Sequence, residues 1–205
     1  MKNLLSNPDF YDQIYKANPH KWEMEEYDRL AFDTLNEYFG GDPPKTLLDI
    51  GCGNGHTLKY FADRWPGVAY IGLDISNEAI QLAHKRMPGA SFFCGAFEDT
   101  ALPKKYDCII MLGVIEHFKD LPKILIKLRK TLAENGICYI EAPNCIAYPE
   151  SAHVEGFRKT NVGSHQMEWH LYRSTWERYL TDIGFEIVAS LNGTNMQSEF
   201  VWLVR

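Results

Sequence analysis

The segment from Leu47 to Thr57 constrains the fold of this chain most, because an apolar run leads directly into three closely spaced glycines. Its residues are Leu47-Leu48-Asp49-Ile50-Gly51-Cys52-Gly53-Asn54-Gly55-His56-Thr57. Glycine has no Cβ, so such backbone can adopt positive φ and approach a ligand closely. The free N–H groups that open the next helix can then face the polar end of that ligand. The pattern predicts a buried strand, a tight turn and a helix that bind a nucleotide-like cofactor.

The spacing of the glycines and the next apolar run narrow the class of cofactor. The chain has G-x-G-x-G, whereas the dinucleotide fingerprint is G-x-G-x-x-G, and the tighter turn points away from a pyrophosphate. The run from Val68 to Asp74 reads as a second buried strand, and it ends in an acid 19 residues after Gly55. A carboxylate in that position can accept hydrogen bonds from both hydroxyls of a ribose.

Three blocks of the sequence resemble a known family. D-I-G-C-G-N-G resembles the first motif of the class I S-adenosylmethionine-dependent methyltransferases, and the strand ending at Asp74 resembles their second. A third block, Tyr106 to His117, resembles their fourth strand and its L-E-H turn. The resemblance covers Thr46 to Pro143 and implies an α/β fold, a doubly wound, mostly parallel seven-stranded sheet with an antiparallel C-terminal hairpin and helices on both faces. It also implies S-adenosylmethionine as cofactor and S-adenosylhomocysteine as product.

Apolar periodicity and cap residues predict how helices alternate with strands. Helices are predicted over Trp22–Phe39, over His56–Trp65, over Ser76–Met87 and from Asp120. Further strands are predicted over Ala90–Gly95 and Ile137–Ala142. Ser174-Thr175-Trp176-Glu177 has the pattern of a capping box on a last helix that ends at Gly184. Asn192-Gly193 indicates that the two final strands are antiparallel.

Length and composition indicate one domain, since 205 residues with 45% hydrophobic content suffice for a single sizeable core. We expect residues 1–40 to form an N-terminal helical lid and residues 41–142 the cofactor-binding core. Residues 143–173 lack clean periodicity and are too long for a passive connection, so a substrate loop is expected there. Residues 174–205 complete the domain with a helix and the hairpin.

Charge, apolar runs and cysteines each exclude a class of protein. A formal net charge of −6 offers no basic surface to a nucleic acid. No apolar run approaches the roughly 18 residues of a membrane-spanning helix, and the first residues lack a signal-peptide pattern. The five cysteines form no C-x-x-C pair, which argues against a disulfide framework or a zinc site. We therefore expect a cytoplasmic protein that acts on a small-molecule acceptor and binds no nucleic acid and no membrane.

The resemblance also assigns residues to the cofactor. Those expected to bind it are Asp49, Gly51, Gly53, Gly55, Asp74, Ile75, Phe97, Glu98 and Leu112. The glycines would lie at the methionine end, with Asp49 at its amino group and Asp74 at the ribose. The adenine would meet Ile75 and the backbone N–H of Phe97. The family often has an Asp after its third strand, where this chain has Ala96, so Glu98 is expected to substitute.

A protonated oxygen or nitrogen acceptor needs a base, and histidine is the default candidate at neutral pH. His117 is the first choice by its position after the fourth strand, and His165 and His170 follow. Residues expected to contact the substrate are Tyr11, Tyr15, Tyr148 and Trp169. The spacing of His165, Glu168 and His170 fits no standard ligand motif, so we expect no metal.

Two other functions stay open beside methyl transfer to an oxygen, or less readily a nitrogen, of a small molecule. A nicotinamide-dependent oxidoreductase would share the strand, glycine turn and acid, but no tyrosine is followed four residues later by lysine. A non-catalytic module could instead hold the cofactor or a partner. Two kinds of methyltransferase that act on nucleic-acid bases are discounted. An amino-methyltransferase would have an acid or Asn followed by Pro-Pro and an aromatic after the fourth strand, where this chain has Leu-Gly-Val-Ile, and a cytosine-5 enzyme would have a Pro-Cys dipeptide, which does not occur.

Overall fold

The computed structural model describes residues 7–143, 156–158, 168–192 and 199–205. The helices are α1 Pro8–Ala17, α2 Glu25–Tyr38, α3 His56–Ala62, α4 Asn77–Arg86, α5 Leu121–Thr131 and α6 Arg173–Asp182. The strands are β1 Thr46–Ile50, β2 Ala69–Asp74, β3 Ser91–Cys94, β4 Tyr106–Leu112, β5 Leu132–Pro143, β6 Gly156–Arg158, β7 Glu168–His170, β8 Ile187–Asn192 and β9 Glu199–Val204. A 3-10 turn, Ile115–His117, follows β4.

Seven strands form one sheet in the order β3-β2-β1-β4-β5-β9-β8. The pairs from β3 to β5 are parallel, whereas β9 runs antiparallel to both β5 and β8. The sequence prediction of a mostly parallel seven-stranded sheet with an antiparallel C-terminal hairpin is therefore confirmed. Strands β6 and β7 pair separately as a short antiparallel ribbon.

Helices cover both faces of the sheet, which explains why the central strands are apolar on both sides. On one face, α5 and α6 pack on a core that includes Leu125, Trp176 and Trp202. On the other face, α2, α3 and α4 pack on a core that includes Leu35 and Phe61. Within the described ranges, none of these helices has the length and hydropathy needed to cross a bilayer.

Two of the predicted helix starts are confirmed by their cap hydrogen bonds. The Ser76 hydroxyl accepts from the Ala79 backbone N–H at 3.1 Å, and Asp120 accepts from the Lys123 N–H at 3.1 Å. Each side chain satisfies a backbone donor that would otherwise lack a helical partner. An N-cap hydrogen bond joins residues that are close in the sequence, so the sequence alone can predict it.

The predicted capping box at the start of α6 is wrong. The N-cap of α6 is Tyr172, and it makes no side-chain cap hydrogen bond. The Glu177 carboxylate instead accepts from the Trp202 indole N–H at 3.2 Å and from the Ser190 hydroxyl at 3.1 Å. This long-range pairing satisfies a buried indole on β9, which the local sequence pattern could not reveal.

The start of the fifth strand also differs from its prediction. Strand β5 begins at Leu132 rather than at Ile137, because Leu132 already pairs with Tyr106 of β4. The register then shifts, so that the next pair is Cys108 with Ile137. A Cβ at Gly136 would lie 2.9 Å from the Tyr106 carbonyl oxygen, so only glycine fits at this irregularity.

A substitution at Gly72 tests how tightly β2 packs beneath the glycine turn. A Cβ at Gly72 would lie 2.6 Å from Cys52 Sγ and 2.6 Å from a ring carbon of Phe92. We expect Gly72→Ala to lower the free energy of unfolding by about 1 to 3 kcal/mol, as overpacking does in well-filled cores. Urea denaturation measures this change. A Cβ at Gly89 meets nothing within 4 Å, so Gly89→Ala is the matched control; equal effects would contradict the packing.

Candidate cofactor site and acceptor pocket

A cavity of about 290 Å³ lies at the carboxyl ends of the central strands. Its walls come from the turns after β1, β2, β3 and β4, from the end of β5, and from α1 on the outside. In open α/β sheets this is the crevice where ligands bind. The parallel strands therefore bring together side chains that are far apart in the sequence.

The glycine turn after β1 forms one wall of the cavity. Gly51, Gly53 and Gly55 have φ values of 81°, 51° and 76°, in the left-handed region that favours glycine. A Cβ at Gly51 would lie 2.3 Å from Val114 Cγ2, and one at Gly53 would lie 2.3 Å from the Tyr15 hydroxyl. The turn therefore needs glycine both for its conformation and for close approach.

Asp74 ends β2 beside this turn. One carboxylate oxygen accepts from the Gly53 backbone N–H at 2.9 Å, and the other accepts from the Ser76 N–H at 2.8 Å. Burial raises the pKa of the Asp74 carboxyl, while these N–H donors act in the opposite direction. The two bonds fix the orientation of the carboxylate, and each oxygen keeps a further lone pair for a ligand hydroxyl.

Asp49, at the end of β1, is a buried acid that lines the cavity with 3% of its surface exposed. Burial raises the pKa of its carboxyl well above the usual range, and the neighbouring charges of Asp28 and Asp74 add to that rise. A cationic group in the cavity would favour the ionised carboxylate. The position thus suits a positively charged ligand group.

Another part of the cavity lining is apolar. It includes Ile75, Phe97 and Leu112, and the partly buried Glu98 also lines the cavity. The Phe97 ring is buried and packs edge-on against Phe118, with ring centroids 6.2 Å apart. A planar aromatic ligand group would find apolar contacts there.

Helix α1 lies across the open side of the cavity. Tyr11 and Tyr15 line it, and both rings contact Trp22, with centroids 6.2 Å and 5.2 Å away. The Asp12 carboxylate accepts from the Ser76 hydroxyl at 2.6 Å and from the Glu78 N–H at 3.1 Å. These two bonds anchor α1 on the N-terminus of α4, next to the cavity.

A polar network that sequence reasoning missed centres on Asn54, inside the glycine turn. Its amide nitrogen donates to the Pro19 carbonyl at 2.6 Å and to Glu23 at 2.7 Å, and its oxygen accepts from Arg86 at 2.7 Å. Burial alone would raise the pKa of Glu23, but hydrogen bonds from Arg86, His20 and Asn54 lower it to about 2. The only feature of the local sequence that pointed to this network is the position of Asn54, an amide side chain between two glycines.

Beyond the glycine turn, the cavity is lined by a buried polar cluster. Glu116 and His117 lie in the 3-10 turn after β4, Glu168 lies on β7, and Glu141 lies on β5. One ligand atom from each of Glu116, His117 and Glu168 lies within 4.8 Å of the others. Among the described residues that line the cavity there are several acids but no lysine or arginine.

Most of the residues that line this cavity lie in a stretch of the chain that matches a known protein family. Residues 24–190 match the profile of a methyltransferase domain. The chain belongs to the class I S-adenosylmethionine-dependent methyltransferases. The methyl donor of that family is the cofactor that the glycine turn, Asp49 and Asp74 are suited to hold.

Curated methyltransferases are similar to this chain over part of their length. Malonyl-acyl-carrier-protein O-methyltransferase of Acetivibrio thermocellus is 33% identical over 93 residues, which are 44% of this chain and 33% of that protein. Trans-aconitate 2-methyltransferase of an Acidovorax species is 28% identical over 136 residues, which are 63% of this chain and 53% of that protein. The chain thus spans a third to about half of the length of these relatives.

A solved methyltransferase has the same fold over nearly the whole chain. It is the 1,6-didemethyltoxoflavin-N1-methyltransferase of Burkholderia thailandensis, with S-adenosylhomocysteine and 1,6-didemethyltoxoflavin bound. The TM-score is 0.77 at 17% identity, and the match covers 97% of this chain and 86% of that one. The likeness supports the Rossmann-like methyltransferase fold.

Most residues that the sequence assigned to the cofactor of this methyltransferase line one cavity. Gly55 is not part of the lining, and a Cβ added there would lie 3.2 Å from Ala83 Cβ on α4. Of the histidines proposed as a base, His117 lines the cavity, whereas His170 is buried and its Nε2 lies 3.1 Å from Glu168. The Trp169 indole donates to the Phe118 carbonyl at 2.9 Å and is not part of the lining. Tyr148 and His165 lie outside the described residues.

The raised pKa of Asp49 makes a prediction about pH. In the ligand-free protein, its carboxyl stays protonated at higher pH than an exposed aspartate does, whereas the cationic amino group of S-adenosylhomocysteine, if bound against it, would favour the ionised form. Affinity should therefore rise with pH through a range above the ordinary titration of aspartate, with proton release on binding. Calorimetry in two buffers of different ionisation enthalpy measures both.

Asp49→Asn should weaken binding at neutral pH by about tenfold or more and reduce its pH dependence. The exposed Asp42 offers the matched control, since Asp42→Asn should keep the wild-type profile. If Asp49→Asn binds with unchanged affinity and pH profile, the carboxylate does not face the ligand.

Proposed function

We propose that this chain transfers the methyl group of S-adenosylmethionine to an oxygen or nitrogen of a small-molecule acceptor. The observation that carries the proposal is one cavity whose lining holds two different groups of residues. The glycine turn and Asp74 form one group, and the buried cluster around Glu116 and His117 forms the other. Cofactor and acceptor would meet between them, next to the turn that follows β4.

The cofactor residues supply position and charge. Gly51 and Gly53 would receive the methionine end of the cofactor, Asp49 its amino group, and Asp74 the ribose hydroxyls. Bound S-adenosylmethionine supplies an electrophilic methyl group on a positively charged sulfur. Holding it in line with the acceptor can contribute roughly 7 to 11 kcal/mol to catalysis at best, because no rotational or translational freedom is then lost in the reaction.

We assign His117 as the base that removes the proton of the acceptor. It follows β4 directly, lines the cavity, and lies with its Nε2 3.8 Å from Glu116 Oε1. A carboxylate beside an imidazole stabilises the charged ring that forms when the base takes up a proton. A neutral hydroxyl or a protonated amine could lose its proton to this ring before methylation.

The charge of the cavity favours one kind of acceptor. Malonyl-acyl-carrier protein and trans-aconitate, the acceptors that the curated relatives are named for, carry carboxylates. The described lining of this cavity holds Asp49, Asp74, Glu116 and Glu168 with no lysine or arginine, so it would repel such an anion. For the cavity without a bound cation, we infer a neutral or cationic acceptor.

The N-terminal segment is proposed to act as a lid. Tyr11 and Tyr15 cover the cavity, and Asp12 holds their helix on α4. Release of that contact would let the acceptor enter, and its closure would exclude water from the reaction.

Cofactor binding is the first test of this function. We expect S-adenosylhomocysteine to raise the thermal stability of the protein, and NAD not to, because only a ligand of the native state stabilises it. Calorimetry should show that Asp74→Ala loses about tenfold or more in affinity through the missing ribose contacts. Asp63 is exposed and paired with Lys59, so Asp63→Ala is the matched control. Stabilisation by NAD alone would support an oxidoreductase instead.

The role of His117 is the second test. Release of S-adenosylhomocysteine with a panel of phenols, alcohols and amines identifies an acceptor that is methylated. With that acceptor, His117→Ala should lower kcat by about 10²-fold or more and leave affinity for S-adenosylhomocysteine within about twofold. His84 is exposed on α4, and His84→Ala should keep the wild-type rate. An unchanged rate in His117→Ala would leave that residue a scaffold, and cofactor binding without transfer to any acceptor would support a non-catalytic module.

A further inference from the structure

The sequence led us to expect no metal, but the structure brings together a different set of side chains, and we propose that Glu116, His117 and Glu168 bind a divalent cation at the acceptor end of the cavity. The cation belongs to the first-row class that accepts mixed carboxylate and imidazole ligands, such as Mn²⁺, Co²⁺ or Zn²⁺. The inference uses the proposed function in one respect, because the acceptor is taken to lie at this end. The cation site itself depends only on the three side chains.

The spacing of the three side chains suits one ion. Their ligand atoms all lie within 4.8 Å of one another, and Glu116 Oε1 is 3.8 Å from His117 Nε2. Carboxylate and imidazole ligands lie roughly 2.0 to 2.2 Å from such an ion, so two of them are at most about 4.4 Å apart. Three such ligands around one ion lie on average no more than about 3.6 Å apart, so the side chains would close on the ion by up to about an ångström to coordinate it.

The charge and burial of the three side chains also favour a bound cation. Glu116 and Glu168 are 4% and 5% exposed, and the neighbouring Glu141 is 2% exposed. Bringing carboxylates together away from water costs free energy, and a divalent cation bound to two of them offsets that cost. Three protein ligands also leave coordination positions open toward the cavity, as in catalytic rather than structural metal sites.

The backbone around the site holds the donors in place. Residues alternate in direction along β7, so Glu168 and His170 lie on one side of the strand and Trp169 on the other. The Trp169 indole donates to the Phe118 carbonyl at 2.9 Å, which ties β7 to the turn that carries Glu116 and His117. His170 Nε2 lies 3.1 Å from Glu168 Oε1 and orients that carboxylate. Trp169 and His170 are thus positioning residues for the site.

A cation in this position would change how the acceptor is activated. An acceptor hydroxyl bound at an open position loses its proton to solvent more readily, because the cation stabilises the oxygen anion. The oxygen electron pair then forms the new O–C bond, the C–S bond breaks with its pair going to sulfur, and neutral S-adenosylhomocysteine leaves. His117 would serve as a ligand here rather than as the base, and metal dependence separates these two roles.

Mn²⁺ binding to the full chain tests the site without any acceptor. After treatment with a chelator, the protein is titrated with Mn²⁺, and the electron paramagnetic resonance signal of free Mn²⁺ is followed. We expect about one ion per chain to be bound, and Glu168→Gln and His117→Ala to weaken that affinity by about tenfold or more. Glu186 pairs with Arg205 on the surface, so Glu186→Gln is the control that should bind Mn²⁺ as the wild type does.

Binding of S-adenosylhomocysteine to the same variants shows that they are folded and keeps the two proposals separate. If the wild type binds S-adenosylhomocysteine but not Mn²⁺, the cation site is overturned and the proposed function stands. If Mn²⁺ binds equally well to Glu168→Gln and His117→Ala, the ion lies elsewhere and the site is overturned. If Mn²⁺ binds as expected but S-adenosylhomocysteine does not, the cation site stands and the proposed function fails.

Discussion

The hydrogen bonds that the Asp74 carboxylate accepts from Gly53 and Ser76 connect the glycine turn to the helix that follows β2. They join the turn after β1 to the start of α4, and the Ser76 hydroxyl continues the connection to Asp12 on α1. The parallel pairing of Asp49 with Gly72 sets the register that brings these groups together. A carboxylate at the end of a strand thus organises the turn, the helix and the N-terminal segment around one cavity.

The same cavity concentrates negative charge in a buried place. Asp49, Asp74, Glu116, Glu141 and Glu168 all line it, and burial raises the pKa of both Asp49 and Asp74. Such an arrangement lowers the stability of the ligand-free protein, because buried carboxylates lose their hydration. It is suited to a cationic sulfonium, an amino group and a divalent cation, each of which restores favourable charge pairing. Binding and stability are therefore coupled in this site.

A structural element was predicted correctly where the interaction that fixes it joins residues that are close in the sequence. The glycine turn, the strand ending at Asp74 and the caps at Ser76 and Asp120 rest on neighbouring residues, and the structure has all of them. The capping box at Glu177 failed because Trp202 and Ser190, distant in the sequence, use that carboxylate. Strand β5 begins earlier than predicted because pairing with Tyr106 extends it across an irregularity.

The sequence by itself determined the alternation of strands and helices from β1 to β5 and the glycine turn after β1, since apolar periodicity, turn chemistry and cap residues act between near neighbours. Only the tertiary structure decided which residues form the buried cluster of Glu116, His117 and Glu168 and the network around Asn54. Glu168 lies 51 residues after His117, and Asn54 meets Glu23 and Arg86 from separate elements. No local sequence pattern predicts such contacts, because they follow from the pairing and packing of whole strands and helices around a common core.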